Sequence, residues 1–291
     1  MERMTDEAVN DQEPVTENTS ENTNDVFKSG DKVLNSHITV DTVESENFNE
    51  TEKLKERLDN RSTLRFSSAI WFKNLTEKKI LIAGIGGIGS WTALLISKLQ
   101  PAKLIMYDDD NVEGVNMAGQ LYSEDVIGEK KVNSLYKTID KFSGYKCFAM
   151  PERFTSEVPT YDIMIGGFDN MSSRQLLFNA WEHHVNNSGH PENCLFIDGR
   201  MAAEEFQVFC IQGDEMENRR EYSNNYLFND TEAEETICSY KQTAFVANII
   251  AGIITNLLVN FSANQCNPPI PRPVPFKISY NAEFMNFKIE G

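Results

Sequence analysis

Four glycines with the spacing Gly84-x-Gly86-Gly87-x-Gly89 form the most informative segment of the sequence. Residues 79–83, apolar from Ile80 onward, precede them and an apolar-rich run follows, which predicts a turn between a buried strand and a helix. Glycines permit a tight turn and let backbone N–H groups approach a phosphate, and a helix N-terminus adds partial positive charge. The segment therefore predicts a phosphate-binding turn.

A carboxylate follows at the distance that a nucleotide-binding fold requires. Asp108 ends the next predicted strand, residues 103–107, about 20 residues after the glycines, where a carboxylate commonly binds ribose hydroxyls. These features fit a nicotinamide- or flavin-linked oxidoreductase as well as other nucleotide-binding proteins. A bare glycine pattern is also compatible with close packing between a helix and a strand.

Further polar residues follow in a specific order, and they narrow the class of nucleotide-binding protein to which the chain can belong. They are Asp108-x-Asp110, Asn116, Gln120, Gly128-x-x-Lys131 and Asp169-Asn170-x-x-x-Arg174. In type, order and spacing, this set resembles the ubiquitin-activating superfamily of ATP-dependent adenylyltransferases, the MoeB/ThiF/HesA proteins. The resemblance covers residues 62–291, and a dehydrogenase is not expected to show this order.

The resemblance implies an α/β fold with a Rossmann-like, mostly parallel sheet and a C-terminal antiparallel extension. It also implies a reaction, the transfer of AMP from ATP to the C-terminal carboxylate of a ubiquitin-like or sulfur-carrier protein or peptide. The implied cofactors are ATP and Mg²⁺, and the implied assembly is a homodimer. A non-catalytic relative that keeps the nucleotide-binding fold as a scaffold or regulator is the alternative.

Five residues beyond the glycines are implied in nucleotide binding. By the resemblance, Asp108 holds the ribose hydroxyls, Asp110 lies beside it, and Asn116 and Gln120 position the nucleotide and its phosphates. The glycines at 84, 86, 87 and 89, together with Lys131, complete this predicted cofactor-binding set.

Charge on the phosphate oxygens grows when a carboxylate attacks the α-phosphate, so the site needs cations and positioned donors. By the resemblance, Lys131 neutralises phosphate charge and Asp169 binds Mg²⁺, a hard cation suited to carboxylates. Each has a plainer interpretation. Lys131 fits a solvated helix residue, and Asp169 with Asn170 fits the cap of a helix beginning near Ser172.

Two family arginines are absent. Gly119 stands in Asn116-Met-Ala-Gly-Gln120 where the family has Arg, and Ser68 stands where a second Arg reaches the partner subunit's ATP. Bidentate donors to phosphate are hard to replace, so these positions favour the non-catalytic alternative. Relocation of the charge to Arg200 or Arg61 is the hypothesis that keeps catalysis, and a surface position for Arg200 is its alternative.

Cys238 is the candidate nucleophile. In the family a cysteine commonly lies just before the helix that we predict from Thr243, and in some members it accepts the activated acyl group. A nearby helix N-terminus lowers the pKa of a thiol and favours such a role. A buried, apolar cysteine is the alternative.

Composition defines the surroundings of this domain. The chain has 291 residues and a formal charge of −17, and residues 1–60 alone hold 16 acidic and 6 basic residues. We predict a disordered acidic tail over 1–60 and one adenylyltransferase-type domain over 61–291. The acidic balance argues against nucleic-acid and anionic-membrane partners. No secretory h-region is present, so we expect a cytoplasmic protein.

The remaining pattern predicts alternating strands and helices. Residues 213–237 are polar and without clear period, which predicts a long crossover loop. Residues 243–261 are apolar but interrupted by asparagines, which favours a buried core helix over a bilayer helix. His183, His184 and His190 have no Cys or carboxylate at ligand spacing along the chain, so no metal site is predicted there.

Overall fold

A computed structural model of the protein describes residues 62–228 and 242–291. The chain divides into two units, Met1–Glu44 and Ser45–Gly291, and all described residues belong to the second. The predicted acidic tail, Arg61 and Cys238 lie outside the described residues, so their predictions stay as they are.

The described residues form six α-helices and eight strands. The helices are α1 (Ile70–Thr76), α2 (Gly87–Ser97), α3 (Lys131–Ser143), α4 (Met171–Ser188), α5 (Met216–Asn225) and α6 (Ala244–Asn264). The strands are β1 (Lys79–Ala83), β2 (Lys103–Tyr107), β3 (Phe148–Met150), β4 (Ile163–Gly166), β5 (Leu195–Ala202), β6 (Glu205–Gln212), β7 (Lys277–Asn281) and β8 (Asn286–Glu290).

All eight strands form one mixed sheet in the order β3-β2-β1-β4-β5-β6-β7-β8. Neighbours from β3 to β5 pair in parallel, and those from β5 to β8 pair antiparallel. The predicted α/β fold with a C-terminal antiparallel extension is confirmed. After β1 the chain adds β2 and β3 on one side of that strand, and it then crosses over so that β4 pairs with β1 on the other side. Between these two strands the sheet has a topological switch point, where ligands bind beyond the carboxyl ends.

Both faces of the sheet are covered by helices. Ile80 and Ile82 of β1 pack with residues of α2, α3 and α6 on one face, whereas Leu81 and Ala83 pack with residues of α4 on the other. Burial on both faces explains why these strands are continuous apolar runs rather than alternating ones.

The prediction of a loop throughout 213–237 is wrong, because α5 spans Met216–Asn225. Only Arg219 and Tyr222 of its residues are buried, so the helix has no apolar stripe that a periodicity analysis detects. The last strand begins at Asn286, after a turn over residues 282–285 in which Met285 has φ +47°.

Helix α6 is long and apolar enough to cross a membrane by length and composition alone, with a mean hydropathy of 1.9 in its most apolar window. Core helices of soluble domains pass the same test. Ile250, Ile254 and Leu258 of this helix are fully buried against the sheet and its neighbouring helices. The polar side chain of Asn260 donates to the Pro273 carbonyl at 2.8 Å. This placement agrees with the predicted core helix.

Candidate active site

A cavity of about 990 Å³ opens at the carboxyl ends of the parallel strands and continues across the antiparallel part of the sheet. Of the predicted site residues, those that line it are Gly84, Gly86, Gly87, Asp108, Asp110, Gln120, Lys131, Asp169 and Arg200. Gly89 and Asn116 do not line it, and Cys238 is not described. Residues from β6 to β8, including Glu205, Asn281 and Lys288, form its far end.

The glycine turn connects β1 to α2. Some of its glycines are needed for the backbone of the turn, and another leaves space in the cavity. Gly84 has φ +85°, which L-residues rarely adopt, and a Cβ on Gly89 would lie 1.9 Å from the Gly84 carbonyl oxygen. These two positions are required for the turn itself. A Cβ on Gly86 would instead meet nothing closer than the Gln120 amide at 3.9 Å. Gly86 therefore leaves space in the cavity that the protein does not fill.

Asp108 is held by the backbone at the end of β2. Its Oδ2 accepts from the Ile85 N–H at 2.7 Å and its Oδ1 from the Asp110 N–H at 2.9 Å. Burial raises the pKa of this carboxyl, although both hydrogen bonds and Lys131 act in the opposite direction. Each oxygen retains a second lone pair, so the carboxylate can still accept from ligand hydroxyls.

The Ile85 carbonyl accepts from the Tyr122 hydroxyl at 2.7 Å, which ties the glycine turn to the segment that follows Gln120. Burial raises the pKa of Tyr122, so its O–H remains a donor at neutral pH. The turn is therefore fixed from both sides, by Asp108 and by Tyr122.

Lys131 begins α3 and is only 7% exposed, so the interpretation as a solvated helix residue is wrong. Its Nζ pairs with Asp110 Oδ2 at 2.7 Å, and its backbone N–H donates to the Asp110 carbonyl at 3.0 Å. Asp110 itself is largely exposed. The pairing directs the ammonium group toward the cavity beside Asp108.

The loop after β4 places Asp169 at the cavity and uses its neighbours structurally. Asn170 caps α4, since its Oδ1 accepts from the Ser173 N–H at 2.8 Å. Arg174 is buried and donates to the Phe168 and Gly199 carbonyls and to Asp198. Asp169 is exposed and accepts only from the Asn170 amide among the hydrogen bonds described. Its carboxylate is thus available to a ligand, while Asn170 fits the capping interpretation.

Asn116 and Gln120, predicted as a pair, lie in different environments. Asn116 Oδ1 accepts from the Glu113 N–H at 2.8 Å and caps the short 3₁₀ turn Gly114–Ala118. Gln120 lines the cavity, and its Oε1 is buried without a hydrogen-bond partner among the described residues. A buried acceptor without a hydrogen bond lowers the stability of the folded state. A ligand that donates a hydrogen bond to Gln120 would therefore stabilise the fold.

Gln242 is a site residue that the sequence analysis missed. It lines the cavity, and a Cβ on Gly119 would lie 3.0 Å from Gln242 Cβ. A Cβ on Gly87 would lie 2.7 Å from Gln242 Oε1. Gln242 thus occupies the space beside Gly119, where the family has an arginine. Nothing in the motif signals this replacement, because Gln242 lies more than 100 residues away along the chain.

Gly119→Arg is expected to lower the melting temperature and to bring no gain in nucleotide affinity, because the new side chain must displace Gln242. Overpacking of this kind costs about 1–3 kcal/mol. Thermal unfolding and nucleotide calorimetry measure both effects. Gly114→Arg is the matched control, since a Cβ there meets nothing within 4 Å. Tighter nucleotide binding by Gly119→Arg would contradict the replacement.

Arg200 lies within β5 and is three-quarters or more buried, so its interpretation as a surface loop residue is wrong. Its Nε donates to Asp198 Oδ2 at 2.6 Å, and its Nη2 donates to the Tyr226 carbonyl at 2.8 Å. Burial is the largest single influence and opposes its charge, but Asp198 and Tyr222 together outweigh burial and raise the pKa of Arg200. With Arg174 on the other carboxylate oxygen, two cations share one buried anion beside the cavity.

Comparisons with known proteins place the chain in a family. A sequence model of the ThiF family matches residues 60–290. Ubiquitin-like modifier-activating enzyme 5 of Drosophila willistoni is 25% identical over 146 residues, which are 43% of this chain and 36% of that protein. The Culex quinquefasciatus enzyme of the same name is 33% identical over 69 residues, 24% of this chain and 17% of that protein. The chain thus matches well under half the length of these curated relatives.

Two solved structures share the fold. E. coli MccB with ATP superposes with a TM-score of 0.59 at 18% identity, over 85% of this chain and 78% of that chain. PaaA superposes with a TM-score of 0.58 at 19% identity, over 83% of this chain and 73% of that chain. At sequence identities this low, the structural match establishes a common fold alone.

Proposed function

The chain belongs to the ThiF family, and from this premise we propose that it is an ATP- and Mg²⁺-dependent adenylyltransferase. Its substrate would be the C-terminal carboxylate of a ubiquitin-like or carrier protein or peptide. The observation that carries the proposal is a single cavity that brings together the glycine turn, Asp108, Lys131 and Asp169. The relatives named as ubiquitin-like modifier-activating enzymes, and the MccB structure with ATP, support it.

The nucleotide end of the cavity offers the donors and acceptors that ATP requires. Asp108 would accept from the ribose hydroxyls, and the unpaired Oε1 of Gln120 would accept from a nucleotide donor. The space at Gly86 and the N-terminus of α2 would receive phosphate oxygens. These residues match the hydroxyl and phosphate groups of ATP in hydrogen-bonding type.

Three cationic elements would stabilise charge as the substrate carboxylate attacks the α-phosphate and pyrophosphate leaves. Lys131 supplies an ammonium group at the cavity wall, and Arg200 with Arg174 places a net positive charge around buried Asp198. The exposed carboxylate of Asp169 is the oxygen ligand that fits Mg²⁺. Bound Mg²⁺ would supply electrostatic neutralisation of the phosphates.

The far end of the cavity suits an extended carboxylate-bearing segment. Strands β6, β7 and β8 line it with backbone and polar side chains, among them Ser279, Asn281 and Lys288. An extended C-terminus entering here would lead its carboxylate toward Lys131 and Asp169. We further propose a homodimer in the cytoplasm, as expected for the family.

A non-catalytic nucleotide-binding scaffold is the second candidate, favoured by Gly119 and by exposed Ser68, which does not line the cavity. ATP–pyrophosphate exchange with Mg²⁺ and a panel of carriers ending in Gly-Gly separates the two. The adenylyltransferase predicts exchange that depends on a carrier.

Asp169→Ala is expected to lower this exchange by at least about 10²-fold, because it removes the proposed Mg²⁺ ligand. Asp214→Ala is the matched control, an exposed aspartate outside the cavity lining, and should retain the wild-type rate. ATP binding without exchange for any carrier would favour the scaffold.

A further inference from the structure

Three metal-ligating side chains meet at the opposite end of the sheet from the cavity. Asp162 immediately precedes β4, His184 lies on α4, and Cys194 immediately precedes β5. Their ligand atoms all lie within 4.8 Å of one another, with His184 Nε2 2.8 Å and Cys194 Sγ 3.8 Å from Asp162 Oδ1. Ligand spacing along the chain does not indicate this cluster, because only the fold brings its three members together.

We propose that Asp162, His184 and Cys194 form a zinc-binding site, with solvent completing the coordination. Imidazole, thiolate and carboxylate are the ligands that zinc takes in proteins, and the cysteine disfavours the hard cations Mg²⁺ and Ca²⁺. The site lies apart from the nucleotide cavity, so it does not rest on the proposed adenylation.

A neighbouring threonine already orients the histidine. Thr160 Oγ1 lies 3.1 Å from His184 Nδ1, which leaves Nε2 directed at Asp162 and Cys194. Zinc-bound histidines almost always use their other ring nitrogen in this way. On the other side, the Ser188 hydroxyl lies 3.9 Å from Cys194 Sγ and fixes the sulfur near the end of α4.

Two of the three separations between ligand atoms need little adjustment. Tetrahedral zinc with bond lengths of about 2.0–2.3 Å separates its ligand atoms by about 3.3–3.5 Å. The Asp162–Cys194 distance must shorten slightly and the His184–Asp162 hydrogen bond must lengthen by about 0.5 Å. Asp162 is 43% exposed at its side chain, which provides an entry path for the ion.

The local charge is also compatible. Lys78 lies near Asp162 and Cys194, and burial lowers the pKa of its ammonium group. Zn²⁺ bound to one carboxylate and one thiolate is electrically neutral, so binding changes the charge of the site from −1 to 0 and leaves no net positive charge beside Lys78. Binding displaces the thiol proton of Cys194, which passes to solvent.

Zinc titration of the chelator-treated full chain tests the proposal. Calorimetry should give one Zn²⁺ per chain. Co²⁺ in its place should give the near-ultraviolet absorption of a thiolate–Co²⁺ bond, which a merely structural cluster does not produce. Thermal unfolding should shift to higher temperature with added Zn²⁺.

The variants separate ligands from neighbours. His184→Ala and Asp162→Asn should each lower the Zn²⁺ affinity at least about 100-fold. Thr160→Val should lower it about tenfold, because Thr160 acts on the metal only through the His184 ring. Exposed His183, adjacent on α4, gives the control His183→Ala, which should bind as wild type does. Absence of stoichiometric zinc from the wild-type chain, or zinc affinity unchanged in both ligand variants, would overturn the site.

Discussion

Lys131→Met should lower the rate of carrier-dependent ATP–pyrophosphate exchange by about 10²–10³-fold while the protein stays folded. Removal of one preorganised donor from a transition-state site has an effect of this size. Stability should change little, because the partner left behind, Asp110, is 65% exposed and remains solvated. Exchange kinetics measure the loss, and circular dichroism measures the fold.

Lys137→Met is the control that makes this result interpretable. Lys137 lies on the same helix and also pairs with a carboxylate, Glu129 at 2.8 Å, but it is 62% exposed and does not line the cavity. It should retain wild-type exchange. Equal losses in the two variants would show that Lys131 acts through the helix rather than at the phosphates.

Asp198→Ala should have the largest effect on stability, a loss of about 3–5 kcal/mol in the free energy of unfolding. The carboxylate is fully buried. It accepts hydrogen bonds from Arg174, from Arg200 and from the Tyr222 hydroxyl, the last at 3.0 Å. Its removal leaves two buried guanidinium groups without their common counter-ion. Urea unfolding measures the change through the transition midpoint.

Asp140→Ala provides the comparison for Asp198→Ala. Asp140 also pairs with a cation, Lys146 at 2.5 Å, but at the surface, where such pairs contribute about 0–1 kcal/mol. A loss near 1 kcal/mol in both variants would contradict the view that Asp198 organises the buried cationic wall of the cavity.

The sequence predicted the parallel half of the fold well because its physical signals are local. Residues 80–83 and 104–107 are buried on both faces, so each is an unbroken apolar run that is hard to mistake. Helix α5 escaped prediction because it buries only Arg219 and Tyr222 and owes its position to contacts with the sheet.

The same distinction applies to the site. Asp108 and the glycines are recognisable because strand, turn and carboxylate follow one another along the chain. Gln242, which fills the space beside Gly119, depends on tertiary contacts over more than 100 residues. His184 and Cys194 are close along the chain, but their meeting with Asp162 likewise depends on the tertiary structure. Arg200 was identified as a candidate, but its anchoring by Asp198 and Tyr226 became visible only in the structure.

Following the α- and γ-phosphates of ATP separately tests the proposed adenylation most directly. With Mg²⁺ and a carrier that supports exchange, ATP labelled at the α-phosphate should transfer its label to the carrier, whereas ATP labelled at the γ-phosphate should release its label as pyrophosphate. Asp169→Ala should abolish both. Label from the γ-phosphate on the carrier, or release of inorganic phosphate with ADP, would contradict adenylation.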